Sequence, residues 1–409
     1  MAFKFEKFLK NELVKKQLEL FSKKLKLPKK PDNIDLIQHI ENCYNDPNIE
    51  ISSEMMDELI KNSVKFGERR NLYITQFKKH DFKKLSDYKE ISRILRNKFG
   101  IKSTNFNKLN NPETNTLAEN EYDEPYIEYL EIKKVKQFVK SIQICFATFS
   151  KKTDEEGISF DYKSYIWVEF LLSEGIICFR IPSFSEVYGE PVTSNRLFND
   201  YFHLIQSSFG FNSEDMTSYK EILYEIAKSI FEVSEMPFKE RFESASSTIE
   251  RISKLIKRNN IFSQNSSYEL FNGRMIDLFE RVIIQENFIE YMSHSEGKDG
   301  IITKLEFTDP TGALVRANAG TKKDDTLELC DIFFDTRKTL SEESTLEQLL
   351  IEWFIPREIS NTSRVVCKFF VSSRYLAINF QRIFLSQEVE EYVFSKLKKY
   401  DGFEWYKSY

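Results

Sequence analysis

The chain has 409 residues, 41% of them hydrophobic and 14% aromatic, with a formal net charge of −5. That composition excludes a largely disordered, collagen-like or loop-dominated protein, and the length suffices for roughly two to three domains with cores of their own. The charge is unevenly spread: residues 1–109 hold 24 Lys+Arg against 15 Asp+Glu, whereas the other 300 hold 35 against 49. A basic module on an acidic body predicts a polyanionic partner, most often a nucleic acid.

Five scattered cysteines, Cys43, Cys145, Cys178, Cys330 and Cys367, signal neither a disulfide framework nor a zinc ribbon and fit a reduced compartment. The stretch MAFKFEKFLKNELVKKQLELF lacks the apolar core of a signal peptide, and no apolar run approaches the roughly 18 residues of a membrane span. A cytoplasmic protein, or a nuclear one in a eukaryote, with no membrane partner is therefore expected.

Residues 1–109 read as a compact basic helical domain of four or five short helices. Phe5, Phe8, Leu9 and Leu13 recur at near-helical spacing, the stretch 28–33 breaks the pattern, and Leu36, Ile37 and Ile40 resume it. Ser52 or Ser53 can cap the next helix, with Glu54 and Asp57 near its positive end. A last helix, about 86–99, ends at Gly100, which suits a C-terminal cap. The following stretch, rich in Glu, Pro, Asn and Thr and without Lys or Arg, predicts an acidic linker over 110–125.

From about 126 the hydrophobic period becomes that of a strand. Val139, Ile142, Ile144, Phe146 and Phe149, then YIWVEFLL (165–172), a turn at 173–175 and IICFRI (176–181) predict strands and an antiparallel hairpin. Helices are expected across 194–290, one of them starting at a capping box, Ser218 to Glu221, and burying Ile222, Leu223, Ile226 and Ile230. The pattern around 364–380 echoes that around 165–181 at an offset of 199 residues, pairing Phe170 with Phe369, and a helix follows each, at about 194–208 and 386–399. This suggests two pseudo-duplicated α+β halves, 126–290 and 291–409. The expected fold class is α+β: a helical N-terminal domain followed by a mixed body of antiparallel hairpins and packed helices.

The strongest candidate site is the segment 61–109, with 14 Lys+Arg against Glu68, Asp81, Asp87 and Glu90. Lys89, Arg93 and Arg96 fall on one helical face while Tyr88, Ile91 and Leu95 fall on another. Lys83, Lys84, Lys98, Arg69 and Arg70 extend the set. A second cluster, Lys15, Lys16, Lys23, Lys24, Lys26, Lys29 and Lys30, adds Lys23 and Lys24 as candidates. Lysines and arginines so placed bind phosphates with sequence-independent affinity; the competing reading is a solvated lysine-rich surface, or one that docks on a protein.

Motifs for catalysis are sparse. Glu131-Ile132-Lys133, preceded by Asp123, has the local form of a metal-dependent nuclease, in which carboxylates hold the cation and the lysine steadies the attacking water. Asp324, Asp325, Asp331 and Asp335 lack the spacing of a calcium loop and are expected in a hairpin loop and on a strand face. The histidines His39, His80, His203 and His294 are isolated, with His203 expected to be partly buried on a helix. There is no P-loop, nucleophile elbow or zinc-binding pattern, so no cofactor and no metal are expected.

LIQHIENCYND (36–46), ISSEMMDELI (51–60), IQICFATF (142–149) and SYIWVEFLLSEGIICFRI (164–181), with a helix after them, resemble the kinetochore family of centromere protein N over about residues 1–235. The resemblance implies a small basic helical domain joined to an α+β body that binds DNA and protein partners without enzymatic activity. It implies the basic N-terminal face as the DNA-binding surface.

These readings converge on a non-enzymatic nucleic-acid-binding adaptor or complex subunit, with DNA or RNA on the N-terminal domain and a protein partner on the acidic body. The Lys- and Asn-rich composition fits a bacterial accessory or anti-phage defence component as readily as a eukaryotic complex. A protein-only interaction subunit is the alternative and a divergent nuclease the third reading.

Overall fold

The computed structural model describes residues 2–68, 70–110, 125–153, 159–187, 190–259, 261, 265–287, 297–320, 326–327, 330–359, 363–381 and 384–400. Its helices are α1 (Lys15–Lys24), α2 (Leu36–Asn45), α3 (Ser53–Lys65), α4 (Phe82–Leu85), α5 (Tyr88–Phe99), α6 (Ser194–Phe209), α7 (Tyr219–Glu235), α8 (Lys239–Arg258), α9 (Asn265–Glu286), α10 (Asp331–Glu343) and α11 (Gln387–Tyr400). Its strands are β1 (Gly67–Glu68), β2 (Arg70–Gln76), β3 (Phe106–Asn107), β4 (Tyr126–Val135), β5 (Phe138–Thr153), β6 (Ser159–Leu171), β7 (Ile176–Pro182), β8 (Phe184–Val187), β9 (Glu190–Thr193), β10 (Gly300–Thr308), β11 (Leu314–Asn318), β12 (Gln348–Phe354), β13 (Arg364–Val371), β14 (Leu376–Gln381) and β15 (Phe384–Leu385). The fold is mixed α+β, with helices at the N-terminus and antiparallel strand pairing.

The chain divides into two compact units, Met1–Met216 with Ser372–Tyr409, and Thr217–Val371. These boundaries differ from the expected 1–109, 126–290 and 291–409. The reason lies in β2, which sits inside the supposed helical domain yet pairs with β7 from Arg70↔Pro182 to Gln76↔Ile176 and with β14 from Leu376↔Ile74 to Asn379↔Asn71. A strand shared in this way ties residues 1–109 to later segments. The acidic linker lies, apart from its ends, outside the described residues.

In the first unit an antiparallel sheet runs β14-β2-β7-β6-β5-β4-β3. Successive strand side chains point to opposite faces, and the sequence alternation sorts them into two cores. Ile142, Ile144, Phe146, Ile166, Val168 and Phe170 face a cluster completed by Ile91, Ile94 and Leu95 of α5 and Phe198, Phe202 and Ile205 of α6. Cys145, Ala147, Tyr165 and Trp167 face the other cluster, completed by Leu18 of α1, Ile40 of α2 and Met56, Leu59, Ile60 and Val64 of α3. Every residue of β7 is buried, as its nearly unbroken apolar run requires. The N-terminal basic segment therefore wraps the sheet: α1 to α3 cover one face and α5 the other.

Local signals decide several helix ends. Ser52 Oγ accepts a hydrogen bond from the Met55 amide at the start of α3, and Asp87 caps α5 by accepting from the Lys89 amide. Gly100 closes α5 at φ 66, a left-handed conformation that a side chain would strain. Two expectations fail here. Phe5, Phe8, Leu9 and Leu13 are buried as predicted, but Leu9–Asn11 is only a 3-10 turn. The backbone there is held by other segments: the Phe5 amide donates to Glu41 and the Glu6 amide to Asn110. Ser218 adopts a helical φ of −57 and makes no capping hydrogen bond, so the capping box does not form.

In the second unit a sheet runs β11-β10-β12-β13, with Leu349, Ile351, Trp353, Val365, Cys367 and Phe369 buried. Ile222, Leu223, Ile226 and Ile230 of α7 are buried as predicted. Arg337 of α10 bridges Glu235 of α7 and Glu280 of α9 at 3.0 and 2.8 Å. Asp331–Glu343 is a helix, correcting the expected strand face of Asp331 and Asp335; Asp324 and Asp325 lie outside the described residues.

The pseudo-duplication is not borne out as two halves. Strands do occupy 165–181 and 364–380, and Phe170 and Phe369 are both fully buried. However, β6 and β7 belong to one unit, whereas β13 and β14 are divided between the two, and the following helices α6 and α11 both belong to the first. Aromatic strand pairs with a short polar turn resemble one another whatever their place in a fold. No helix among the described residues is long and apolar enough to cross a membrane.

Candidate nucleic-acid interface

The cationic surface is built on α4 and α5, on the sheet face that α5 covers, and on the tip of the β4–β5 hairpin, which is fastened to the start of α5. Tyr88, Ile91, Ile94 and Leu95 anchor α5 inward, which turns Lys89, Arg93 and Arg96 to solvent, and Lys98 is exposed in the last turn of the helix. Lys83 of α4 is exposed beside them. Among the described residues Lys83, Lys89, Arg96 and Lys98 form no ion pair. Arg93 does: it donates two hydrogen bonds to Glu90, at 2.7 and 3.0 Å, which hold the Glu90 carboxyl below its ordinary range. Lys84 is half-buried and donates to the Gly210 carbonyl at 3.0 Å.

Three of the four acids of this segment are occupied. Asp81 is buried and accepts from the Asn212 amide at 2.8 Å, Asp87 caps α5, and Glu90 is held by Arg93. An excess of cations is thus presented on a rigid scaffold, which strengthens attraction for a polyanion at a distance of about a Debye length. The β4–β5 hairpin extends the surface, because the Tyr88 amide donates to the Gln137 carbonyl and the Val139 amide to the Ser86 carbonyl. Lys134 rests over the Tyr88 ring, 3.9 Å from its centroid.

Three of the ten sequence candidates belong elsewhere. Arg70 is 3% exposed and lies inside the fold, donating to the Phe66 and Tyr165 carbonyls and pairing with Glu12 at 2.5 Å. Its strand, β2, is interior, so its guanidinium serves buried acceptors and cannot reach a phosphate. Lys23 and Lys24 are exposed at the end of α1, but α1 covers the opposite sheet face, and they form no continuous surface with α5. Arg69 lies outside the described residues.

Sequence reasoning missed the buried ionic groups. On the face covered by α3, Arg180 of β7 pairs with Glu169 of β6 at 2.9 Å and with Glu390 of α11, while Lys65 of α3 reaches Glu169 at 2.9 Å and Gln143 at 3.5 Å. Burial alone would raise the Glu169 carboxyl, but Arg180 and Lys65 outweigh it and hold it at about 2. Farther along, Lys163 pairs with Glu128 and lies 3.7 Å from Glu6, all three buried. Two carboxylates share one ammonium there, and burial pushes Glu6 up to about 7 despite Lys163. Single charges inside the apolar runs YIWVEFLL and IICFRI were the readable signal: strands covered on both faces can hold a charge only beside its partner.

The nuclease-like motif falls on β4. Glu131 and Lys133 lie on β4, 3.8 Å apart, opposite Gln143 and Ser141 of β5, neither of which supplies a second carboxylate. Asp123 lies outside the described residues. Among the described residues there is no group of three or more His, Cys, Asp and Glu side chains placed to hold a metal ion. His39 is buried against the Pro28 carbonyl and Cys43, whereas His203 is exposed rather than partly buried. His294 is outside the described residues.

A comparison with protein-family models finds no matching family, and a comparison with curated proteins finds no matching relative.

Proposed function

We propose that this chain is a non-enzymatic nucleic-acid-binding adaptor that grips the phosphate backbone with the exposed cations of α4, α5 and the β4–β5 hairpin. The observation that carries the reading is that Lys83, Lys89, Arg96 and Lys98 are exposed and without ion pairs among the described residues, on elements anchored by a buried opposite side. Side chains placed in this way displace condensed counterions from a polyanion at little cost in protein rearrangement. The reading agrees with what the resemblance to the centromere protein N family implies for a basic N-terminal face.

The second unit contributes a protein contact in this proposal. Leu255 of α8 and Leu270, Leu278, Phe279 and Val282 of α9 are exposed, and grouped exposed apolar side chains on paired helices favour a protein surface as partner.

Fluorescence anisotropy of labelled DNA and RNA with the full chain tests the phosphate contact. The triple substitution Lys89→Glu, Arg96→Glu and Lys98→Glu is expected to weaken binding about tenfold or more at low salt, with the thermal unfolding midpoint unchanged because all three side chains are in solvent. Unaltered affinity would remove α5 from the interface and leave the protein-only reading.

A further inference from the structure

Among the described residues, the tip of the β4–β5 hairpin, KKVKQFVK at 133–140, is the part of the cationic surface that also carries exposed apolar side chains. Val135 and Phe138 stand directly opposite in the ladder and are 64% and 68% exposed. Their orientation follows from the strand alternation. Lys134 and Val139, the preceding opposed pair, point to the α5 side, Lys134 over Tyr88 and Val139 into the core. Val135 and Phe138 therefore point the other way, into solvent.

Cations surround this pair. Lys133 lies two residues before Val135, Lys136 occupies the turn at φ 58, and Lys140 is exposed where the ladder shifts register. Among the described residues only Lys133 has an acid within ion-pair reach, Glu131 at 3.8 Å. The tip does not hang free: the hydrogen bonds from Tyr88 to Gln137 and from Val139 to Ser86 fasten it to the start of α5, beside Lys89. A solvent-facing ring is thus held in place among the lysines of the hairpin tip, pointing away from the α5 side yet fastened to the start of that helix.

We infer that Phe138 is a stacking platform for an unpaired base, and that the polyanion this surface takes is single-stranded nucleic acid. This rests on the proposed phosphate-binding reading and specifies it. Lysines neutralise the backbone of any nucleic acid, but a duplex hides its base faces in its own stack, while a single strand offers them to an aromatic ring. An anionic membrane would attract the same lysines, yet two apolar side chains bury little area compared with the apolar face of an interfacial helix. The charge and the ring together match the single strand.

The test uses the full chain and its Phe138→Ala and Phe138→Trp variants, with labelled oligothymidylate, a labelled duplex and phosphatidylserine vesicles as probes. Phe138→Ala is expected to weaken oligothymidylate binding about tenfold or more while changing duplex binding less than about twofold, and Phe138→Trp to restore the single-strand affinity. Equal losses on both nucleic acids, or none on either, would overturn the stacking role; if the α5 charge reversal still weakened binding, the phosphate-contact reading would survive. Vesicle binding that depends on Phe138, without oligothymidylate binding, would overturn the inference in favour of a membrane surface. Failure of the unaltered chain to bind any nucleic acid would overturn both.

Discussion

Replacing Arg180 with methionine is expected to lower the free energy of unfolding by about 3–5 kcal/mol, a large share of the roughly 5–15 kcal/mol that holds a typical domain together. Arg180 donates to Glu390 through Nε at 2.9 Å and through Nη2, and to Glu169 through Nη1 at 2.9 Å. All three groups are buried, so methionine would fill the space yet leave Glu390 with a charge that has lost its partner. Lys65 would still face Glu169. The cost arises from the stranded carboxylate, not from the missing volume. Adding Glu390→Leu should therefore recover much of the loss, since buried ion pairs replaced together by apolar residues are often neutral. Urea unfolding followed by circular dichroism measures both variants; an Arg180→Met loss below about 1 kcal/mol would show that the network contributes little to holding α11 on the sheet.

Glu6→Gln is expected to act in the opposite sense and to depend on pH. Below the ordinary carboxylate value of 4.5, Glu6 is protonated in both folded and unfolded chains and has no effect on the balance. Between 4.5 and about 7 the unfolded chain releases a proton that the native one keeps, so native stability falls as pH rises through that window. The full effect, about 3 kcal/mol, is reached above the native value. Glutamine cannot ionise, leaves Lys163 paired with Glu128, and should make the protein more stable than the unaltered chain above neutral pH but little different below about pH 5. Glu169 has the reverse dependence: its contribution is present above 4.5 and is lost as pH falls toward about 2. Thermal unfolding of Glu6→Gln across this range is the check, and an identical pH profile for the two proteins would mean that Glu6 is ionised in the native state.

The mixed α+β class and most of the apolar faces were legible because they depend on period and turn chemistry. The run 142–146, the segments 165–172 and 176–181, and Ile222 to Ile230 of α7 were placed correctly by alternation or helical spacing alone. Domain boundaries were not legible, because β2 is a short apolar run, NLYIT, inside lysine-rich helices, and its partners lie about a hundred and three hundred residues away. Local pattern says nothing about such pairings. The same long-range arrangement decided the site. Lys89, Arg93 and Arg96 share a face through helical geometry and were readable. Arg70 and Lys23 were grouped with them by composition, although β2 buries one and α1 carries the other to the far face. The exposure of Phe138 was not legible, since only the register at the hairpin end shows that its ring faces solvent.

The salt dependence of nucleic-acid affinity in the full chain tests the central claim most directly. The full chain is needed because a 1–109 fragment would strip β2 of both its partner strands. If Lys83, Lys89, Arg96 and Lys98 contact phosphates, the logarithm of the binding constant should fall linearly with the logarithm of salt concentration, with a slope of roughly −3 or steeper. A slope near zero, or no binding at low salt, would contradict the account.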